Sequence, residues 1–538
     1  MTRLFDVLAL IYKRTVVFFM RIILPFLFVL AMISTSALTD DISEETYFIG
    51  DNVLVNIFAV SVFVFFLIRL GKSGAGKFLG NKKCTGALLV VLAIIAFAWV
   101  FMSRYTPRSD QMAVYAGVRA IREGDFSGFA KGEYFSKYPH QMGLVYLYCL
   151  WSFIFGAQNL LAFQCLNALG VICFYKKLGD ICVHLGMGEA YRGYMLIFGM
   201  AFYPLVMYSS FIYGNVLGLA FSVAAIDYEI RFLKNDNKFC GVLSILFIML
   251  GIFAKKNYEI FLLAMLILAV FEIAKKKRTL GFVYIVCLVA VLLANSVVLE
   301  KITYRITGIE NEGAMSSWSY VAIGLLEGPR ANGWHNNFEA YSYEESGYNA
   351  DVQKELALSS IKWSCGQFIQ DPGYALEFFL LKTASQWNNP TFECHWINQV
   401  CDYETGQSII VKDINSPKAG KFEYGYLDFI MLIVLLGSML FFWLSDEYDN
   451  GELILATVFV GGFLFHLLWE GKSQYTLSYF VLLFPYATRG YKKLGSAPNR
   501  KKLLLFAICA FVAIVVIGSN YSLLVEDSIR WNQYITGA

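Results

Sequence analysis

Long apolar runs separated by short polar connections extend along most of the chain, and this pattern predicts membrane-spanning helices. A helix needs about 20 mostly apolar residues to cross a hydrocarbon layer of about 30 Å. Such runs, some of them short, lie near residues 21–38, 52–70, 85–103, 141–156, 159–174, 193–210, 215–232, 240–254, 258–274, 280–299, 427–444, 453–469, 474–488 and 503–521. We therefore expect an all-α, multi-pass transmembrane fold with about 13 true spans.

The positions of Lys and Arg predict which helix ends face the cytoplasm, because short cytoplasmic loops are enriched in both residues. The basic segments expected inside are the N-terminus, 69–83, 275–278 and 489–502. The segments then expected outside are the acidic stretch 40–45, the loop 104–140, the polar segment 300–426 and the C-terminal tail. The sequence thus predicts a cell-membrane protein with a cytoplasmic N-terminus.

This orientation does not accommodate every apolar run. Between the outer loop ending near residue 140 and the outer turn near 211–214 lie three runs, 141–156, 159–174 and 193–210. An even number of crossings is required there. One run must be partial, interfacial or fused with its neighbour, and the sequence leaves open which one.

Composition excludes several classes of protein. Hydrophobic residues make up 57% and charged residues 16% of the chain, and the mean hydropathy is +0.55. Soluble globular chains carry about 45–50% apolar and about 25% charged residues. A soluble enzyme, a disordered protein and a nucleic-acid binder are therefore excluded. The net charge of +3 indicates no polyanionic partner.

The chain divides into four segments. In chain order they are the additional N-terminal spans 1–84, a transmembrane core 85–299 that contains the loop 104–140, a large extracytoplasmic block 300–426 and the C-terminal spans 427–538. Within the extracytoplasmic block, 350–363 and 373–387 have the apolar spacing of helices. The second of these is amphipathic and is expected to lie on the membrane or on the protein.

The loop 104–140 carries the first candidate for a reactive group. Asp110 closely follows a span and precedes a segment with helical spacing of apolar residues. A carboxylate at the water–lipid boundary can accept a proton from a water-soluble hydroxyl while the other reactant stays anchored in lipid. The alternative is that Asp110 caps the helix beginning at about Gln111.

Several segments resemble one superfamily of membrane enzymes. They are SDQMAVYAGVRAIREGDF after a span, KYPHQ at the start of the next span, DPGYALEFFLLKTASQWNNPTF at 371–392 and HLLWEGKSQYTLSYFVLLFPYATRG at 466–490. With these segments the chain resembles the lipid-sugar-dependent membrane glycosyltransferases of the GT-C fold. The branch it resembles most is related to protein O-mannosyltransferases and aminoarabinose transferases. The resemblance implies a GT-C-type helical bundle with Asp110 as the catalytic base or acceptor-positioning group.

The sequence also departs from that superfamily. Many members carry a second acidic residue at the next outer turn, which here reads YSSFIYGNVLG, with Asn215 and no carboxylate. A divalent metal cofactor is left open, but it lacks support unless Asp125 or Glu133 supplies the second carboxylate. We therefore predict no metal ligands. The two spans before residue 71 are additional to the usual arrangement.

Displacement of a lipid phosphate needs cations that neutralise charge on the leaving group. Lys255 and Lys256 lie at a predicted outer turn, on the side where topology alone disfavours lysine. They either meet a lipid phosphate or extend their charges to the interface. The predicted phosphate-binding set is Lys255, Lys256, Lys472 and Arg108.

A second set of polar residues is expected to contact the substrates. It consists of Tyr138, His140, Gln141, Glu470 and Tyr475. Tyr138 with Pro139 resembles the pair that opens the corresponding span in the superfamily. For Glu470 the alternative is a simple ion pair with Lys472 at the membrane boundary. Weaker candidates are Arg330, His335 and Lys382.

The leading hypothesis is an inverting glycosyltransferase that moves a sugar, for example a hexose such as mannose, from a polyprenyl-phosphate donor to a protein, lipid or wall-glycan acceptor. The alternatives are a transporter or flippase, and a polymerase or ligase of lipid-linked saccharides. A transporter should show charges at mid-span and broken or repeated helices, whereas most spans here lack central charges. In the extracytoplasmic block, one disulfide can join two of Cys365, Cys394 and Cys401.

Overall fold

The computed structural model describes residues 2–39, 43–71, 75–276, 279–311, 313–399, 402–403, 408–496 and 500–536. The first helices are α1 (Thr2–Ile33), α2 (Val53–Gly71), α3 (Ala75–Leu79), α4 (Lys82–Ser103) and α5 (Asp110–Glu123). They are followed by α6 (Tyr134–Lys137), α7 (Met142–Phe155), α8 (Leu160–His184), α9 (Ala190–Ala201), α10 (Pro204–Met207), α11 (Asn215–Asn235), α12 (Lys238–Ala254), α13 (Glu259–Lys276) and α14 (Thr279–Thr307).

The polar block then contributes α15 (Trp318–Gly324), α16 (Phe338–Glu345), α17 (Ala350–Gln370), α18 (Pro372–Trp387), α19 (Trp396–Gln399) and α20 (Ile409–Ile414). The last helices are α21 (Pro417–Leu444), α22 (Ile454–Leu468), α23 (Ser473–Phe480), α24 (Phe484–Tyr491), α25 (Arg500–Ser519) and α26 (Ser528–Thr536). Two antiparallel pairs join β1 (Ser34–Leu38) to β2 (Thr46–Gly50) and β3 (Tyr105–Thr106) to β4 (Asp402–Tyr403).

Long apolar helices dominate the molecule. Within the described residues, eight helices are long and apolar enough to cross a membrane. A ninth results if Pro204–Ser210 and Asn215–Asn235, which meet at a bend of 120°, form one span. Two further apolar helices, Val53–Arg69 and Lys238–Ala254, are shorter. The prediction of an α-helical membrane protein is confirmed, and the count of about 13 spans stays a prediction.

The first predicted span is wrong at both of its ends. The pattern predicts a span at 21–38, but α1 begins at Thr2 and ends at Ile33. Residues 34–38 form β1, because their Ser and Thr side chains bond elsewhere rather than favouring a helix. The Thr35 hydroxyl donates to Asp51 over 2.8 Å, and the Ser36 amide donates to the Asn388 carbonyl over 3.0 Å.

The run 141–156 forms α7, a helix of 14 residues that packs beside α5. α7 begins beside α5, where the Gln141 amide donates to Tyr213 and Tyr213 donates to Asp110. The chain leaving α7 is again beside α5, since the Tyr115 hydroxyl donates to the Gln158 carbonyl over 2.9 Å. Both ends of run 141–156 therefore lie close to α5, and which of the three runs does not cross the membrane stays a prediction.

The structure confirms part of what is predicted for the polar segment 300–426. Helices are confirmed at 350–363 and 373–387, as α17 and α18, and the second half of α18 is buried in the protein. Cys365 is exposed and Cys394 is buried, and both are free, so a disulfide between these two is wrong. The parts of predicted segments that lie outside the described residues are Met1, 40–42, 72–74, 277–278, 312, 400–401 with Cys401, 404–407, 497–499 and 537–538.

Candidate functional site

Several helix ends meet at the end of the bundle that the charge pattern predicts to be extracytoplasmic. We call this cluster the polar site; its members are Asp110, Gln141, Tyr213, Asn215, Lys255, Glu470 and Tyr475. Beside it lies a small cleft lined by Asn215, Lys255, Asn257, Tyr258, Tyr475, Ser478 and Tyr479. Of the predicted residues, Asp110, Gln141, Lys255, Glu470 and Tyr475 are therefore brought together.

Asp110 is the first residue of α5, and its carboxylate is half-buried. The residue at the capping position is Ser109, and no side chain caps the helix. The Tyr213 hydroxyl instead donates to Asp110 Oδ2 over 2.9 Å, and Gln141 Nε2 donates to Tyr213 over 2.9 Å. The capping alternative is therefore wrong, because the carboxylate is held by the start of α11 rather than by its own helix.

Tyr134 on α6 adds a hydroxyl to the same carboxylate. Burial, and then the charge of Asp110, raise the pKa of Tyr134 above its usual range. The phenol therefore stays protonated and can donate a hydrogen bond. Asp110 therefore lies beside the hydroxyl groups of two tyrosines.

Glycines bring the backbone close to Lys255. Gly214 has φ +81°, and a Cβ atom there would lie 2.1 Å from the Ala254 carbonyl oxygen. At Gly143 a Cβ atom would lie 2.3 Å from the Phe253 carbonyl oxygen. Only glycine permits these approaches. They seat the end of α12 against the starts of α7 and α11 and so place Lys255 in the polar site.

Lys255 is a cation held by neutral groups. Its Nζ donates to Asn215 Oδ1 over 2.7 Å and lies 4.7 Å from the ring centre of Tyr213 and 4.8 Å from that of Tyr475. Within the described part of the chain it forms no ion pair. Burial, and then the charge of Lys472, lower the pKa of Lys255 to about 7. An anion placed here would restore the charged form.

The two basic neighbours of Lys255 differ in how far they are enclosed. Lys256 is exposed at the start of the turn that joins α12 to α13. Burial, and then the charges of Lys256 and Lys255, lower the pKa of His140 to about 4. His140 is therefore a neutral imidazole at physiological pH, suited to a hydrogen bond rather than to ion pairing.

The turn between α22 and α23 is held by its backbone. The Glu470 amide donates to the Tyr320 carbonyl over 2.8 Å, and the next amide donates to Gly333 over 3.1 Å. The buried Lys382 ammonium donates to the Trp469 carbonyl over 3.1 Å. These bonds fix the position of the Glu470 side chain, which is 8% exposed. Burial raises the pKa of Glu470 to about 7.

Lys472 forms an ion pair with Glu44 and not with Glu470. Its ammonium donates to Glu44 Oε1 over 2.9 Å, and Glu44 also pairs with Arg330 over 2.8 Å. The boundary ion pair between Glu470 and Lys472 is therefore wrong. The cation is already compensated by a carboxylate from the β1–β2 hairpin, so its predicted contact with phosphate has less support than that of Lys255.

The other predicted residues lie around this cluster. Arg108 is half-buried between β3 and α5, and Tyr138 is half-buried in the turn before α7. Asp125 is exposed and accepts from the Ser127 amide, and Glu133 is exposed, so neither supplies a second carboxylate to Asp110. Among the described residues, no group of three or more His, Cys, Asp and Glu side chains is arranged to hold a metal ion.

Some residues of the site were not predicted. Glu44 has φ +58°, and Phe392 and Glu393 have φ +48° and +63°, so buried loops reach the site in strained conformations. Glu393 Oε1 accepts from the Ser473 hydroxyl over 2.8 Å and from the Gln474 amide over 2.9 Å, which caps α23. The acidic character of 40–45 is the only sequence signal for Glu44, and Tyr213 has none beyond its place at the outer turn.

No protein-family model matches the chain, and no curated protein matches it significantly. The fold and the polar site define an α-helical membrane protein with a cluster of uncompensated charges at one end of its bundle. Its function is therefore inferred from the chemistry of that cluster.

Proposed function

We propose that the protein is a membrane glycosyltransferase that moves a sugar from a polyprenyl-phosphate donor to an extracytoplasmic acceptor. The first candidate sugar is a hexose such as mannose. One observation carries the proposal: Tyr213 contacts both a carboxylate and a cation. Its hydroxyl donates to Asp110, and Lys255 lies over its ring. A base and a phosphate-binding cation are thus held on two sides of one side chain.

The reaction is an inverting displacement at the anomeric carbon. Asp110 removes the proton of the acceptor hydroxyl, and the oxygen attacks the anomeric carbon. The bond from that carbon to the phosphate oxygen breaks, and its electron pair leaves with polyprenyl phosphate. Lys255, assisted by the exposed Lys256, neutralises the charge that develops on the phosphate.

The placement of these groups suits a substrate that is half in lipid. Lys255 and Lys256 directly follow the apolar helix α12, and Asp110 comes shortly after the apolar helix α4, where a phosphate headgroup would meet water while its chain stays in the membrane. The basic loops support a cytoplasmic N-terminus and a site on the opposite side. The resemblance to GT-C enzymes supports the same arrangement.

The direct test is release of polyprenyl phosphate by the purified full chain in detergent, supplied with defined polyprenyl-phosphate hexoses. Release should fall by about 10²–10⁴-fold in Asp110→Asn, the range expected for loss of a general base. Asp125→Asn is the matched control, because it changes an exposed carboxylate in the same loop. Equal release from both variants would remove Asp110 from the reaction.

A transporter of lipid-linked saccharides is the second candidate, and two observations favour it. Pro204–Ser210 and α11 form a helix pair bent by 120°. α11 also buries Asp227 and Glu229, and charges within a span are typical of transport pathways. Asp227 is compensated by Lys177 and His184. Movement of a labelled donor across liposomes, with no release of polyprenyl phosphate, would favour this function over the transferase.

A further inference from the structure

Glu470 is a rigidly placed side chain whose acidic group has no hydrogen-bond partner among the described residues. The backbone on either side of it is fixed by Tyr320, Gly333 and the Lys382 ammonium. The side chain is 8% exposed, and no described donor lies within hydrogen-bond distance of its carboxyl oxygens. A mostly buried acidic group without partners in the protein is well placed to bind a ligand or to hold a proton.

Groups from several elements face this carboxyl. Those with the strongest electrostatic effect on it are His335, Glu339, Lys472 and Asp110. It acts in turn on Lys255, Lys382, Tyr138, Tyr320 and Tyr475. The two nearby carboxylates and the burial favour its neutral acid form, while the cations oppose that form without forming ion pairs with it.

The two acidic groups of the polar site therefore differ in environment. Asp110 accepts a hydrogen bond from Tyr213. Glu470 accepts none from the described residues, which favours its protonated form. Pairs of acidic groups separated in this way divide the roles of base and acid in many enzymes.

We propose that Glu470 is the proton donor of the site, entering the reaction as a carboxylic acid and protonating the phosphate oxygen that leaves the sugar. This rests on the proposed glycosyltransferase function and adds a second catalytic residue to it. Other candidates for the donor are less suitable. His140 is neutral at physiological pH, and His335 is held by Glu339 over 2.6 Å.

The protons balance in this scheme. The acceptor oxygen bonds to the anomeric carbon, and its proton passes to Asp110. The bond between that carbon and the phosphate oxygen breaks, and this oxygen takes the proton of Glu470. The products are the glycosylated acceptor and singly protonated polyprenyl phosphate, with Asp110 protonated and Glu470 ionised. Transfer of one proton from Asp110 to Glu470, directly or through water, restores the starting state.

The first test separates turnover from binding in the full chain. Glu470→Gln should lower kcat for polyprenyl-phosphate release by at least about 10²-fold at saturating donor, with KM changed less than about threefold. Glu470 must be protonated to donate, so kcat of the unaltered protein should fall as pH rises above about 7. Glu470→Asp should retain part of the activity, and Glu133→Gln is the exposed control. An unchanged kcat and pH profile in Glu470→Gln would overturn the proposal.

The second test does not depend on turnover. Infrared difference spectra of the unaltered protein minus Glu470→Gln should contain the carbonyl stretch of a protonated carboxyl at pH 6, which disappears as the pH is raised to 9. Addition of polyprenyl phosphate should shift this band, because the ligand oxygen accepts its proton or hydrogen bond. A band that shifts supports the role of Glu470 even if no donor is turned over. Failure of the transferase function is shown separately, by the absence of polyprenyl-phosphate release. A band that is absent or unaffected by the ligand overturns the proposal.

Discussion

Asp227 and Lys255 are charged residues near opposite ends of the bundle, and their surroundings differ. At one end, Asp227 is fully buried and lies 2.7 Å from Lys177 and 2.6 Å from His184. At the other, Lys255 and Glu470 form no ion pair within the described residues. Charges compensated at contact distance mainly maintain structure. In the polar site Lys255 and Glu470 lack ion-pair partners among the described residues. A charged ligand is therefore expected to gain most binding free energy there.

The largest expected difference comes from removing one lysine at each end. Lys255→Met should weaken binding of the polyprenyl-phosphate donor by about 30–100-fold, the loss expected for a charge-assisted contact. Lys177→Met should leave donor binding unchanged and lower stability by about 2–3 kcal/mol, because Asp227 loses a partner. Equilibrium binding and unfolding of both variants in the same detergent measure the two effects. If both variants lost donor binding equally, the difference assigned to the two lysines would be contradicted.

A glycine pair tests how the uncompensated lysine is placed. Gly214→Ala should lower stability by about 2–3 kcal/mol and reduce donor binding, since the new Cβ meets the Ala254 carbonyl. Gly124 has a similar φ of +75° but open space around it. Gly124→Ala should therefore cost only the backbone strain, about 1 kcal/mol, with binding retained. Similar stability for the two variants would contradict the role assigned to the close approach.

Donor affinity should depend on pH through Lys255. Its pKa of about 7 means that the ammonium is present below pH 7 and lost above it. Affinity for a sugar phosphodiester should therefore fall about tenfold between pH 8 and pH 9, because each pH unit removes nine-tenths of the remaining cation. The fall should be absent in Lys255→Met. A donor affinity that is constant over this range would contradict the assignment.

The smallest effect is expected at Lys472, which belongs to the polar end but is compensated by Glu44. Glu44→Gln and Lys472→Met should each change donor affinity less than about threefold while lowering the unfolding temperature. These two variants separate the effect of an ion-pair partner from the effect of lying at the polar end of the bundle. If Lys472→Met lost as much donor affinity as Lys255→Met, the position of a lysine at the polar end, and not its lack of an ion-pair partner, would determine donor binding.

The sequence predicts the helices better than the strands and the buried loops of the site, for physical reasons. Apolar runs are read from composition, so nearly all predicted runs contain helices. The start of α1 and the strand at 34–38 escape that pattern, since hydropathy does not report which hydroxyls find distant partners. Lys255 and Glu470 are found because each interrupts apolar sequence at a helix end, and Asp110 because it closely follows a span in a segment that resembles GT-C enzymes. Glu44 and Glu393 reach the site only through tertiary folding of buried loops, which no local pattern records.

The most direct measurement of the central claim is donor binding and single-turnover release on the same Asp110→Asn protein. The account predicts donor affinity within about threefold of the unaltered protein, since Lys255 and its contacts remain, together with release slowed by at least about 10²-fold. Loss of binding and release in equal measure would place Asp110 in donor binding instead. Unchanged release would contradict its role as the base.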